Sequence, residues 1–368
     1  MASTVFVCVV LIRFFLPLLI PKFPLPAILG CLVMDAADQS IFQAFTDDPL
    51  PGYQAYDKAL DVYYLAIAYF STMRNWRDPI AFEVARFLYV YRLIGVTLFE
   101  LLGHRWLLLV FPNTFEYFFI AYEAVRTRWN PLRMNATAIV STAAFIWVFI
   151  KLPQEWWIHI AQLDFTEFMA DYPFMWVVIF GAAAIVGIVI WVNRRRIPAP
   201  DWPFTVSVDE HLPPVRDELT GREPFFSPVL AEKALILALI IVIFAQVLPD
   251  VRASNVGVAI GVTVMVALNA GVSQWLRRRG RTWTSTGMTF VVMLVINIGI
   301  VLVDSVFGSN RDANTPNLNT LFFVVLISLL IALFDRYRST RDPLAERPGV
   351  WATLRSEREA KHVVVTAT

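Results

Sequence analysis

Long apolar stretches recur along the chain, and clusters of charge or proline close each of them. A helix needs about 20 apolar residues to cross the hydrocarbon core of a bilayer. Eleven stretches approach that length: 4–20, 25–45, 56–73, 80–102, 107–125, 134–151, 174–192, 229–248, 254–276, 284–304 and 318–334. The first two are the least regular. Pro17, Pro21, Pro24 and Pro26 crowd their junction, and Arg13 interrupts the first. No basic region precedes that first run and no small-residue cleavage site follows it, so it reads as a retained helix rather than a signal peptide. If it lies in the interface instead, ten spans remain. The pattern predicts an all-α polytopic integral membrane protein with ten or eleven transmembrane helices.

The basic residues between these stretches alternate in number. Lys22; Arg74 and Arg77; Arg126, Arg128 and Arg133; Arg194, Arg195, Arg196, Arg216 and Arg222; Arg277, Arg278, Arg279 and Arg281; and the tail residues Arg336, Arg338, Arg341, Arg347, Arg355, Arg358 and Lys361 make 22 on one side. Arg105, Lys151, Arg252 and Arg311 make 4 on the other. Cytoplasmic loops hold the excess of Lys and Arg. The C-terminus is therefore expected in the cytoplasm, with loops 46–55, 103–106, 152–173, 249–253 and 305–317 outside.

Two groups of helices follow from the same pattern. Residues 1–192 form an N-terminal transmembrane module of seven helices that carries intramembrane charges. Its outer loop reads as an amphipathic surface helix at 153–170, built on Trp156 and Trp157 with Glu155, Asp164 and Glu167 between apolar residues. Residues 193–228, with seven prolines, read as a cytoplasmic linker. Residues 229–335 form a four-helix transmembrane module in which Gly257, Gly261 and Gly271 offer a close-packing face. Residues 336–368 form a basic cytoplasmic tail. No repeat relates the two modules, so the sequence does not suggest an inverted-repeat transporter.

Composition agrees with this class. The chain of 368 residues is 57% hydrophobic and 17% charged, against about 45–50% and 25% for soluble domains. A soluble enzyme and a nucleic-acid module are excluded, and a net charge of +1 gives no field for a polyanion. The arginine bias, with only five lysines among 31 basic residues, suggests a GC-rich bacterial genome, and the expected location is the bacterial cytoplasmic membrane. The lipid bilayer is the expected partner, with a membrane protein or a lipid as further partners and no nucleic acid. Cys8 and Cys31 lie in apolar runs, and the four histidines have no metal-ligand spacing.

Charges inside spans are costly and mark functional candidates. Asp35 and Asp38 share a helical face, as do Asp57 and Asp61. Asp35 lies roughly 15 Å below the outer end of its helix, near the midplane. Arg92 and Glu116 fall at similar depth on other helices, so a salt-bridged triad of Asp35, Arg92 and Glu116 is expected. Above it Asp38, Asp57, Asp61 and Glu100 are opposed, on this reading, only by Lys58. The ion- or substrate-binding candidates are thus Asp35, Asp38, Asp57, Asp61, Arg92, Glu100 and Glu116, which form an acidic funnel open to the outside.

Asp35-Ala-Ala-Asp38, then Gly52, then Asp57-Lys-Ala-Leu-Asp61 resembles the metal-binding pattern of CDP-alcohol phosphatidyltransferases. That resemblance implies two divalent ions on these carboxylates and displacement of CMP. It covers only this helix–loop–helix. Gln39, Phe42 and Gln43 stand where the family has Gly and Ala-Arg, and the step from Gly52 to Asp57 is one residue too long. The charge pattern also places the loop outside, away from a cytosolic CDP-linked substrate.

The first functional expectation is therefore cation- or proton-linked transport. The low glycine count, 15 residues, counts against it, as does the missing repeat. One alternative is a membrane-embedded enzyme acting on a lipid-linked phosphate or sugar from the outer face, which alone would call for a divalent cation. The other is a structural or assembly partner of an envelope complex. No GxSxG, HExxH or phosphate-cradling glycine loop is present.

Overall fold

A computed structural model describes residues 2–45, 53–163, 165–195, 198–208, 228–247, 283–307 and 318–338, with 268, 271 and 272. Among these residues all regular structure is helical and no strand occurs. The elements are α1 (Ala2–Phe15), α2 (Pro24–Phe45), α3 (Tyr53–Asn75), α4 (Pro79–Leu102), α5 (Trp106–Val110) and α6 (Thr114–Arg126). They continue with α7 (Ala136–Ile160), α8 (Phe165–Asp171), α9 (Met175–Asn193), α10 (Pro228–Val247), α11 (Trp283–Phe307) and α12 (Leu318–Arg338). Three of them, α7, α9 and the Leu230–Val247 part of α10, are long and apolar enough to cross a membrane. Charges interrupt two other long helices: α3 carries Asp57, Lys58, Asp61 and Arg74, and α4 carries Glu83, Arg86, Arg92 and Glu100.

Local chemistry sets the helix ends. Asp78 caps α4, accepting from the backbone N–H of Ile80 at 2.8 Å and Ala81 at 3.1 Å, and Pro79 suits the first helical turn. At the far end Gly103 takes φ +70°, the left-handed conformation that closes many helices. The stretch 107–125 was expected as one span. Pro112 interrupts it, and α5 and α6 meet at the bend Phe111–Asn113. Gly95 on α4 makes room for that bend, because a Cβ there would overlap the Phe111 side chain.

The core centres on α3. Tyr63, Ala66, Ile67, Ala68, Tyr69 and Phe70 are all 0% exposed, enclosed by neighbours on every side. Helices α1, α2, α4, α10 and α12 all pack against it. The Tyr69 hydroxyl donates to Glu232 on α10, and Phe70 meets Phe334 on α12 edge-on at 5.3 Å. Lys233 on α10, itself buried, joins Asp335 on α12 at 2.8 Å. Helix α11 adds to α12 through Asn297, whose Nδ2 donates to Ser328 Oγ at 2.9 Å. The N- and C-terminal groups of helices thus share one apolar core.

Residues 153–170 do not make one surface helix. Residues 153–160 continue α7 through two π-helical stretches, Ile146–Lys151 and Trp156–Ile160, and α8 starts only at Phe165. The buried Lys151 and Glu155 hold this end of α7 against α4 and the α5–α6 bend. The stretch 198–208 of the expected linker is pinned as a strap. Asp201 N donates to Arg128 O at 2.9 Å, Thr205 N to Thr127 O at 3.0 Å and Val208 N to Lys22 O at 3.1 Å. On helix α9 the described large apolar side chains from Trp176 to Val192 are exposed. The loop 46–52, most of the 254–276 stretch with Gly257 and Gly261, and the tail from 339 lie outside the described residues.

Candidate functional site: an aspartate cluster around Arg13

Two helical faces supply the acids. Asp35 and Asp38 project from α2, and Asp57 and Asp61 from α3. All four meet the guanidinium of Arg13 on α1. Its Nη2 donates to Asp35 at 2.7 Å and Asp61 at 2.5 Å, and its Nη1 to Asp57 at 2.6 Å and to Asp38. Arg13 is 5% exposed and Asp38 3%. The side chains of Asp35, Asp57 and Asp61 stay 37%, 35% and 38% exposed, so the cluster is open on one side. One cation against four carboxylates leaves a formal charge of −3 when all are ionised. An oxygen from each of Asp35, Asp57 and Asp61 lies within 4.8 Å of the others, close enough to share one metal ion.

The expected triad of Asp35, Arg92 and Glu116 is not formed. Asp35 pairs with Arg13, while Arg92 donates from Nη1 to Phe111 O at 2.9 Å and lies 3.9 Å from Glu155. Glu116 instead accepts from the Tyr64 hydroxyl at 2.8 Å and from Asn113 Nδ2 at 2.9 Å. The three side chains take different neighbours around their helix axes: Arg13 for Asp35, Phe111 and Glu155 for Arg92, Tyr64 and Asn113 for Glu116. Nor is Lys58 the counter-charge of the aspartates. It pairs with Glu100 at 3.0 Å, apart from the cluster.

A second polar network adjoins the first. Tyr64 stands one turn from Asp61 on α3 and links to Glu116. Asn113 then bridges, its Nδ2 to Glu116 and its backbone N–H to Glu155 at 3.0 Å. Glu155 meets His159 at 3.0 Å. Lys151 Nζ stands 3.8 Å over the Tyr117 ring and donates to Gln154 at 3.1 Å. The π-helical register of α7 brings Lys151, Glu155 and His159 to this network, and such registers often accompany functional sites. Towards the other end of the bundle polar groups give way to aromatics. Tyr69 stacks on Tyr89 at 4.5 Å, Phe115 meets Tyr89 edge-on at 5.4 Å, and Trp76 stacks on Phe119 at 5.6 Å.

Of the sequence candidates, the structure unites Asp35, Asp38, Asp57 and Asp61. It places Glu116 and Arg92 in the adjoining network and Glu100 on Lys58. Arg13, Tyr64, Lys151 and Glu155 are the added members. A signal for Arg13 was present: one charge inside an apolar helix needs a partner, and four acids on nearby helices lacked a cation. A scan against protein-family models, a search of curated proteins and a search of solved structures each return no match.

Proposed function

We propose that the chain is a polytopic protein of a bacterial cytoplasmic membrane, with ten or eleven spans in a seven-plus-four arrangement and its C-terminus in the cytoplasm. Its function on this reading is cation- or proton-linked transport, with the Arg13 cluster as the outward-facing site. The single observation that carries it is the convergence of four aspartates on one buried guanidinium, an excess of three negative charges with a solvent-accessible side. Such an excess inside a helical bundle attracts protons or a metal cation, and Arg13 competes with them for the same oxygens. The aromatic layer around Tyr69, Tyr89, Phe115 and Trp76 would serve as the closed inner gate.

The membrane setting is supported by three helices of spanning length and by the exposed apolar face of α9. It is supported too by the gathering of basic turns at one end. Arg74 donates to Pro21 O at 2.7 Å, the strap joins Lys22 to Arg128, and Arg133 pairs with Asp201 at 2.7 Å. The aspartates occupy the opposite halves of α2 and α3.

The test is flux in proteoliposomes under an imposed proton or sodium gradient. The reading expects gradient-driven flux through the wild type and its loss in Asp35→Asn with Asp61→Asn. Equal flux in that variant and the wild type would remove the cluster from the mechanism. A second reading draws on the three oxygens within 4.8 Å: a divalent cation there, acting on a lipid-linked phosphate or sugar at the outer face. It expects Mg2+- or Mn2+-dependent turnover of such a lipid and no ion flux.

A further inference from the structure

A cavity of about 200 Å³ lies at the basic end of the bundle, where the ends of α3 and α6 meet the start of α2 under the strap 198–208. From Asp61 to Asn75 along α3 is about 20 Å, so this site is separate from the aspartate cluster. The strap is fixed over it. The Trp202 indole donates to Arg126 O at 3.0 Å, and Asn130 N donates to Asp201 at 2.8 Å.

The polar groups of the cavity wall are unevenly satisfied. The Glu123 carboxylate takes 2.6 Å and 2.7 Å bonds from Trp76 Nε1 and Arg126 Nε, which closes that pair internally. Arg77 forms no hydrogen bond or ion pair with the described residues, and its partial burial lowers its pKa without removing its charge. The wall therefore keeps one uncompensated cation. Asn75, 4% exposed, gives its Nδ2 to Pro21 O at 3.1 Å, while its buried Oδ1 has no donor. A buried acceptor in that state calls for a partner. An anion suits Arg77, and a hydroxyl suits Asn75 Oδ1. Of the lining residues Leu132 and Val206 are 55% and 39% exposed, an apolar lip against which an acyl chain can lie, and Phe204, two residues before Val206 on the strap, is 64% exposed.

We propose that this cavity binds a phosphate ester of a small polyol, the phosphate on Arg77 and a polyol hydroxyl on Asn75, as a site distinct from the Arg13 cluster. The same chemistry is carried by a glycerophospholipid headgroup of the inner leaflet and by a free polyol phosphate. The volume suits a headgroup rather than a nucleotide, being below the roughly 300–1,000 Å³ of pockets for larger ligands.

The test uses the purified full chain and three probes: nanodiscs of phosphatidylcholine alone, nanodiscs containing phosphatidylglycerol, and soluble glycerol 3-phosphate in detergent. Native mass spectrometry reads stoichiometry, and the thermal midpoint reads stabilisation. One phosphatidylglycerol or one glycerol 3-phosphate per chain is expected, with affinity falling about tenfold in Arg77→Gln and holding in Arg105→Gln at the other end of the bundle. Arg77 is exposed, so its replacement leaves folding intact, and Arg77→Lys should retain part of the affinity. Binding of phosphatidylglycerol alone assigns the lipid as the source; binding of glycerol 3-phosphate alone assigns the soluble ester. The proposal is overturned if neither probe binds one to one, or if Arg77→Gln binds as the wild type does. It is equally overturned if Arg105→Gln loses as much as Arg77→Gln.

Discussion

Arg13→Gln removes the cation on which four carboxylates converge while keeping a side chain of similar length. Asp38 dominates the expected cost. It is 3% exposed, and breaking a buried pair by removing one partner costs about 3–5 kcal/mol. Asp35, Asp57 and Asp61 each retain more than a third of their side-chain exposure, so water screens them and each adds under about 1 kcal/mol. The prediction is therefore a loss of about 3–5 kcal/mol, measured by reversible unfolding of the purified chain in detergent. Arg105→Gln, a surface change, should stay within about 0.5 kcal/mol. Asp38→Asn in the Arg13→Gln background should recover part of the loss, with a coupling of about 2 kcal/mol in the double-mutant cycle. The freed aspartates should also accept Mg2+. At 100 times its Kd the ion would restabilise Arg13→Gln by about 2.7 kcal/mol and leave the wild type nearly unmoved. If Arg13→Gln behaves like Arg105→Gln, or the cycle shows no coupling, the convergence on Arg13 is wrong and the proposed site falls with it.

Gly95→Ala should destabilise the chain by about 1–3 kcal/mol, because the new methyl overlaps Phe111 at the α5–α6 bend; unfolding with and without Phe111→Ala separates overlap from helix propensity. Lys233→Met alone should cost about 3–5 kcal/mol, whereas Lys233→Met with Asp335→Leu should recover most of it, read by thermal unfolding of both variants. Asp78→Ala should remove the α4 cap and cost about 1 kcal/mol by the same measurement. In a chain whose Cys8 and Cys31 are replaced, a cysteine at His104 should react with an impermeant reagent from outside. One at Arg128 should react only after permeabilisation, and the reverse pattern would invert the proposed topology.

The sequence carried the helices well where their ends are written in local chemistry. Pro24 and Gly103 adjoin the ends of the expected stretches 25–45 and 80–102, and Asp78 stands two residues before the first unpaired N–H groups of α4, where a carboxylate can cap them. The acids at i,i+3 on α2 and i,i+4 on α3 share faces by helical period alone. The bend at Pro112 was legible in principle, yet an apolar run on both sides hid it. The π-helical register of α7 was not legible, because its extra residue per turn is fixed by what Lys151 and Glu155 reach after packing.

Hydropathy and helical period fix positions along an axis, since both are local properties of consecutive residues. They determined the all-helical class and the places of the acids and basic residues along their helices. They did not determine which way each charge faces around its axis, or which helix lies beside it. Those depend on contacts between residues far apart in sequence: Arg13 with Asp61, Tyr64 with Glu116, Tyr69 with Glu232. Tertiary packing made Arg13 the hub of the aspartates and moved Arg92 to Phe111 and Glu155. It also folded part of the linker into a strap over a cavity. A buried charge takes the partner that packing places within reach, and depth alone does not name that partner.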